Sequence, residues 1–107
     1  MTSVSIQNKS QVETVVKILL EQFGPIQKII LFGSWARGDQ DEYSDLDLIV
    51  IKETSQRFVE RLGAVPSLPT KADVFVYTPR EWEMMQKNEN PFAQSALESG
   101  KVIYEAT

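Results

Sequence analysis

Apolar residues recur along this chain with two periods. Val12, Val15, Val16, Leu19 and Phe23 stand three and four residues apart, the spacing that gathers side chains on one helical face. Ser10-Gln11-Val12-Glu13 ahead of them has the form of a capping box, and Gly24-Pro25 interrupts the pattern. A helix is therefore predicted over 11–23, its stripe covering a sheet rather than a partner. Runs rich in β-branched and aromatic residues predict strands over 27–32, 44–51 and 72–77. Between the last two, Thr54 or Ser55 can cap a short helix carrying Phe58, Val59 and Leu62 and ended by Gly63; a proline-marked connection over 64–70 follows. Thr78-Pro79-Arg80-Glu81 starts a helix that carries Trp82, Met84 and Met85, read as core or interface. Asn90-Pro91 opens another with Phe92, Ala93, Ala96 and Leu97, closed by Gly100, and 101–105 reads as a short final strand. No repeat or low-complexity tract interrupts this order. The expectation is one α/β (α+β) domain over 1–107, a small mixed sheet flanked by helices.

The chemistry concentrates between two strands. Ile29-Ile30-Leu31-Phe32 leads into Gly33-Ser34-Trp35-Ala36-Arg37-Gly38, and after a polar loop Ser44-Asp45-Leu46-Asp47 opens the next apolar run. Alternate residues of a strand share a face, so Asp45 and Asp47 point one way and Leu46, Leu48 and Val50 the other. Two adjacent carboxylates repel unless something positive lies between them, and Mg²⁺ suits oxygen ligands and substrate phosphates. The Gly33-Ser34 turn supplies the other half: glycine lets backbone approach a phosphate, and the following amides and the Ser34 hydroxyl can donate to its oxygens. Together they make a metal-triphosphate site. Asp73, inside an otherwise apolar run, is costly if buried alone and is a third candidate, with a cap near Lys71 as its bland alternative. Arg37, one helical turn past Ser34, can reach leaving phosphates or pair with the acidic loop. Asp39, Asp41 and Glu42 of that loop read as solvated. Trp35 reads as packing before base stacking, and nothing favours Tyr43, Tyr77 or Tyr104 as an acceptor in cis.

Composition narrows the options. Eleven Lys and Arg against fifteen Asp and Glu give a net charge of −4, with no basic run. That disfavours a protein built to grip nucleic acid, where phosphate neutralisation supplies much of the affinity. The chain has neither Cys nor His, so catalysis must run on carboxylates, hydroxyls, basic side chains and a metal. The first residues lack a signal-peptide core and no segment has membrane-spanning length, which predicts a cytoplasmic protein without membrane contact.

Gly33-Ser34 followed at this distance by Asp45-Leu46-Asp47 resembles the signature of the DNA polymerase beta nucleotidyltransferase superfamily. The wording around both motifs is most similar to its minimal nucleotidyltransferases, the small partners of HEPN-family toxins. The resemblance implies a polymerase-beta-like fold in which Asp45 and Asp47 bridge two Mg²⁺ ions and Asp73, from a neighbouring strand, completes the set. Gly33, Ser34 and Arg37 would then hold ATP. It further implies adenylylation of a tyrosine on a HEPN ribonuclease toxin within a hetero-oligomeric, type VII-like toxin-antitoxin pair. Three alternatives stand beside it: a non-catalytic antitoxin that silences its partner by contact, an aminoglycoside-type small-molecule adenylyltransferase, and a polymerase-like role.

Overall fold

The computed structural model describes the backbone of residues 2–39 and 44–106, and side chains in these spans from residue 10 onward. Helix α1 (Thr2–Gln22) is followed by β1 (Lys28–Phe32), α2 (Ser34–Arg37), β2 (Leu46–Ile51), α3 (Phe58–Ala64), β3 (Ala72–Tyr77), α4 (Pro79–Lys87), α5 (Pro91–Ser99) and β4 (Lys101–Glu105). The strands form one sheet in the order β3-β2-β1-β4. Strand β1 runs antiparallel to both β2 and β4, while β2 and β3 run parallel. The mixed sheet flanked by helices is as expected from sequence. No described helix is long and apolar enough to cross a membrane.

Alternation along the strands builds a core on each face of the sheet. Leu46, Leu48 and Val50 of β2 join Ile29, Leu31, Val74 and Val76 under α1, which contributes Val15 and Leu19, with Phe23 just past its end. Ile49 and Ile51 point the other way and pack with Ile30 against Trp82 of α4 and Ala93 and Ala96 of α5. Five of the six β2 residues are buried; Asp47 is the partly open one. A strand covered on both faces reads as a continuous apolar run, so the carboxylates at its start stand out against it. At its far end, Lys52 donates through Nζ to the Phe23 carbonyl at 2.6 Å, with the ammonium 3.9 Å from the Phe23 ring centre. That cation satisfies a carbonyl just past the α1 terminus and ties the helix to β2.

Three local expectations need correction. Helix α1 begins at Thr2, so Ser10-Gln11-Val12-Glu13 lies inside it; neither Gly nor Pro precedes residue 24 to force a start at Ser10. The N-cap of α3 is Arg57, whose amide donates to Glu60 Oε1 at 2.7 Å, whereas Thr54 Oγ1 accepts from Gln56 in a local turn. Gly63 lies within α3, which continues to Ala64. The apolar residues of α3 also fail to define its inner face: Phe58, Val59 and Leu62 are exposed, and Arg61 is the buried one.

Arg61 explains how α3 is held. The helix contacts β3, and Arg61 Nη1 donates to the Val76 carbonyl at 3.2 Å and to Glu81 Oε1 at 2.6 Å. Nη2 reaches Glu81 Oε2 at 3.1 Å, and Nε reaches the Gln56 carbonyl at 2.9 Å. A two-pronged pair of this kind is stronger than a neutral hydrogen bond and fixes orientation. Glu81 also closes the expected capping box of α4, accepting from the Thr78 amide at 2.8 Å while its own amide donates to Thr78 Oγ1 at 3.1 Å. The Arg61–Glu81 pair therefore joins α3, β3 and α4.

The Arg61 hydrogen bonds hold the Glu81 carboxyl below its ordinary range against the opposing effect of burial. Its folded-state pKa lies below the unfolded one, so the stabilisation is present above the unfolded value and is lost as pH falls through the folded one. Because the Glu81 side chain is 42% exposed, the Glu81→Gln substitution is expected to cost only about 1–2 kcal/mol at neutral pH. Urea titrations at pH 7 and pH 3 should show this difference shrinking in acid; a pH-independent cost would place the effect in packing rather than in the ion pair.

Candidate active site

Strand β1 delivers the chain to Gly33, which adopts φ 75° and ψ −155°, a conformation that L side chains rarely take. The reason for glycine is spatial as well as conformational. A Cβ at position 33 would collide with the carboxylate of Asp47, the cross-strand neighbour of Phe32. Past Gly33 the chain turns into α2, where Ala36 and Arg37 donate their amides to the Gly33 carbonyl at 3.1 Å. The amides of Ser34 and Trp35, at the start of this single turn, are the ones a helix leaves unpaired.

The two halves of the motif are tied together. The Trp35 ring packs on the α1-side core and its Nε1 donates to the Ser44 carbonyl at 3.3 Å, immediately before Asp45. The packing role expected for Trp35 thus also anchors the carboxylate segment. Asp45 precedes β2 by one residue rather than lying within it, and its carboxylate is 3.9 Å from Lys71 Nζ. Parallel pairing sets Asp47 beside Asp73. Lys71 therefore faces Asp45, not Asp73, and Asp73 is exposed at the start of an edge strand. It carries no burial penalty of the kind the sequence suggested. Arg37 Nε lies 3.3 Å from Asp39 Oδ2, so it takes the loop partner left open above, and Asp39 is paired rather than merely solvated. Asp41, Glu42 and Tyr43 lie outside the described residues.

The charges converge on Asp47. Burial raises its carboxyl above the ordinary range, Asp73 and Asp45 raise it further, and Arg37 opposes them. Among the described residues, no three His, Cys, Asp or Glu side chains are arranged to hold a metal ion unaided. The donor chemistry still fits a hard divalent cation, because the donors are carboxylate oxygens whose repulsion such an ion would relieve. Mg²⁺ commonly keeps waters and substrate oxygens rather than a full protein cage.

Two neighbours of the site escaped sequence reasoning. Lys71 becomes legible only once β2 and β3 are paired in parallel, which sets Leu46 opposite Ala72. Phe32, Phe75 and Phe92 form an aromatic cluster on the face that Asp47 shares, with Phe92 5.3 Å from each of the other two ring centres. Their separation in the chain hides the cluster.

Comparison with known proteins defines the class. Residues 13–107 match the family described as "Polymerase beta, Nucleotidyltransferase"; the chain belongs to that family and is a nucleotidyltransferase. Among its relatives, MJ0604 of Methanocaldococcus jannaschii is 37% identical over 83 residues, which cover 76% of this chain and 81% of that protein. MntA of Haemophilus influenzae is 39% identical over 62 residues, 57% of this chain and 54% of its own length, so the match spans about half of that relative. Both are provisionally named protein adenylyltransferases. A solved structure provisionally named a nucleotidyltransferase, from Sulfolobus solfataricus, superposes with a TM-score of 0.63 at 17% identity over 94% of this chain and 82% of that one. A toxin-antitoxin structure with AMP-PNP gives 0.54 at 20% identity, covering 89% and 73%. These two share the fold.

The raised Asp47 carboxyl sets an expectation for stability. Its folded-state pKa exceeds the unfolded one, so the folded form is favoured below the unfolded value, and that advantage is lost as pH rises through the folded one. Asp47→Asn should therefore raise the melting temperature of the ligand-free protein at pH 7 and give no gain at pH 3. An unchanged or lowered melting temperature at pH 7 would show that the carboxylate is compensated in the fold. Gly33→Ala should instead destabilise by about 1–3 kcal/mol through backbone strain, measured by the same melts.

Proposed function

We propose that this chain transfers AMP from ATP to a tyrosine hydroxyl of a partner protein, a HEPN-type ribonuclease toxin, and acts as its antitoxin. The observation that carries the reading is the convergence of Asp45, Asp47 and Asp73 at one end of the β2-β3 pair, with Asp47 seated against Gly33 of the Gly-Ser turn. The names of MJ0604 and MntA support a protein acceptor. The toxin-antitoxin structure with AMP-PNP supports the pairing and the nucleotide.

In this reading the acceptor oxygen attacks the α-phosphorus of ATP. The new O–P bond forms as the bond from that phosphorus to the α-β bridging oxygen breaks, and pyrophosphate leaves with the electron pair. Asp73, the most open of the three carboxylates, takes the hydroxyl proton in this reading. The Ser34 and Trp35 amides and the Ser34 hydroxyl donate to phosphate oxygens, which the Gly33 backbone allows to approach closely. Arg37 engages Asp39 through Nε and is half exposed, leaving the rest of its fork for the departing phosphates. Asp45, Asp47 and Asp73 would hold one or two Mg²⁺ ions, which would supply charge neutralisation at the entering and leaving oxygens.

Addition of AMP places a negative phosphodiester and a bulky base on the partner. Either blocks an RNA-binding groove by repulsion or occlusion. Incubated with the protein of the adjoining reading frame, ATP and Mg²⁺, the chain should raise that protein's mass by about 329 Da per AMP, a covalent addition read by mass spectrometry. The Asp45→Asn/Asp47→Asn double variant should slow transfer by a factor on the order of 100 or more. Equal neutralisation of the partner by both forms, with its mass unchanged, would make the chain a contact antitoxin. Transfer to an aminoglycoside and to no protein would make it a small-molecule enzyme.

A further inference from the structure

The outer edge of β3 presents backbone that the fold leaves unpaired beside the carboxylates. In a strand the N–H and C=O of one residue point to the same side, and successive residues alternate. Leu46 donates its amide to the Lys71 carbonyl and Lys52 donates its own to the Tyr77 carbonyl, both at 3.0 Å. Residues 71, 73, 75 and 77 therefore bond to β2, and Ala72, Val74 and Val76 direct their backbone groups outward. Val76 is already engaged, because its carbonyl receives Arg61. Among the described residues, nothing meets the outward groups of Ala72 or Val74.

These free groups face a groove of about 620 Å³ between residues 72–75 and a wall formed by Leu62, Val65, Pro66 and Leu68. Asp73 is among the residues that line it. The groove therefore joins an open β-edge to a candidate catalytic carboxylate. Arg61 closes it at Val76, so only a short stretch of edge is offered. Two outward N–H and two outward C=O groups at strand spacing are matched by the backbone of another extended chain. A small molecule leaves most of them without partners.

We infer that the acceptor enters as an extended segment that adds a strand to the outer edge of β3, bonds Ala72 and Val74, and sets its hydroxyl-bearing residue beside Asp73. This rests on the protein-acceptor reading above and gives it a docking geometry. A residue directly across from Asp73 has its Cβ about 4.5–5.5 Å from that of Asp73, and a long side chain from there extends over the sheet toward Asp47. The next residue along turns to the opposite face, beside Val74 and Leu68 of the α1-side core. The segment thus carries its hydroxyl residue between apolar ones.

Two substitutions test this without altering the bonds to β2. Ala72→Pro removes an outward N–H at the first position of an edge strand, where proline is tolerated. Leu62→Glu, at a half-exposed position, places a charge on the groove wall should the proline variant fold poorly. With the protein of the adjoining reading frame as acceptor, each should raise KM for that acceptor about tenfold, the equivalent of one lost hydrogen bond, and leave KM for ATP unmoved. Amide exchange at Ala72 and Val74 should slow when the acceptor binds. Rapid transfer by both variants at wild-type KM overturns the edge-docking inference alone. So does exchange slowed already in the free protein by self-association. A wild-type chain that modifies no protein overturns the reading beneath it, and the inference falls with it.

Discussion

The contact between Asp47 and Gly33 is the constraint on which the site depends. Strand β2 is buried on both faces beyond this residue, so its register cannot slip without turning an apolar face outward or a carboxylate inward. Its pairing with β1 sets Asp47 opposite Phe32, and the next residue of β1's chain must then pass the carboxylate with no side chain of its own. Glycine alone meets both the positive φ and the missing volume. The turn and the acid are therefore one unit, and the amides that follow Gly33 are delivered to the carboxylate by sheet pairing rather than by loop flexibility. Trp35 closes the unit by holding Ser44 from the other side.

This arrangement is costly, and its cost falls at the expected place. Burial and the adjacent Asp73 and Asp45 all disfavour the ionised Asp47, and the described fold answers with only Arg37 on Asp47 and a distant Lys71 on Asp45. Elsewhere two cations are well engaged: Arg61 makes four bonds to Glu81 and two carbonyls, and Lys52 bonds the carbonyl just past α1. Among the described residues, the buried guanidinium is well bonded whereas Asp47 is flanked by two further carboxylates, a repulsion that a bound cation would relieve. That pattern marks functional groups more than structural ones, and a cation with a polyphosphate is the relief that suits carboxylates beside unpaired amides.

Periodicity and turn chemistry were enough to place the four strands and the helices that cover them, because β2 and its neighbours follow the alternation that two buried faces impose. The Gly-Ser turn and the Asp pair were legible for the same reason: charges interrupt apolar runs at positions that burial otherwise forbids. The long start of α1 was hidden by a capping-box pattern that nothing compels to act as a cap. The inner face of α3 is not marked by its apolar residues, for a physical reason. Its apolar residues suggest a helix lying across a sheet, whereas its anchor is Arg61 bonded to a β3 carbonyl, and an outward carbonyl on an edge strand leaves no trace in composition. The pairing of Lys71 with Asp45 and the Phe32, Phe75 and Phe92 cluster depend on parallel register and tertiary approach, which local pattern does not encode.

The position of β3 links these features. An edge strand normally invites aggregation and is blunted by charge, proline or a covering element. Here Arg61 of α3 covers the end nearest α4, and the 64–70 connection with its two prolines walls the groove beside residues 72–75. Between them the outward groups of Ala72 and Val74 stay open, directly flanking Asp73. Had α3 packed its apolar residues across a sheet face, as their spacing suggests, Arg61 would not reach Val76 and the upper edge would be open as well. The arginine anchor therefore shortens the exposed edge to the stretch that flanks the acid. Protection against unspecific strand pairing and selection of where a strand can pair then follow from the same contact.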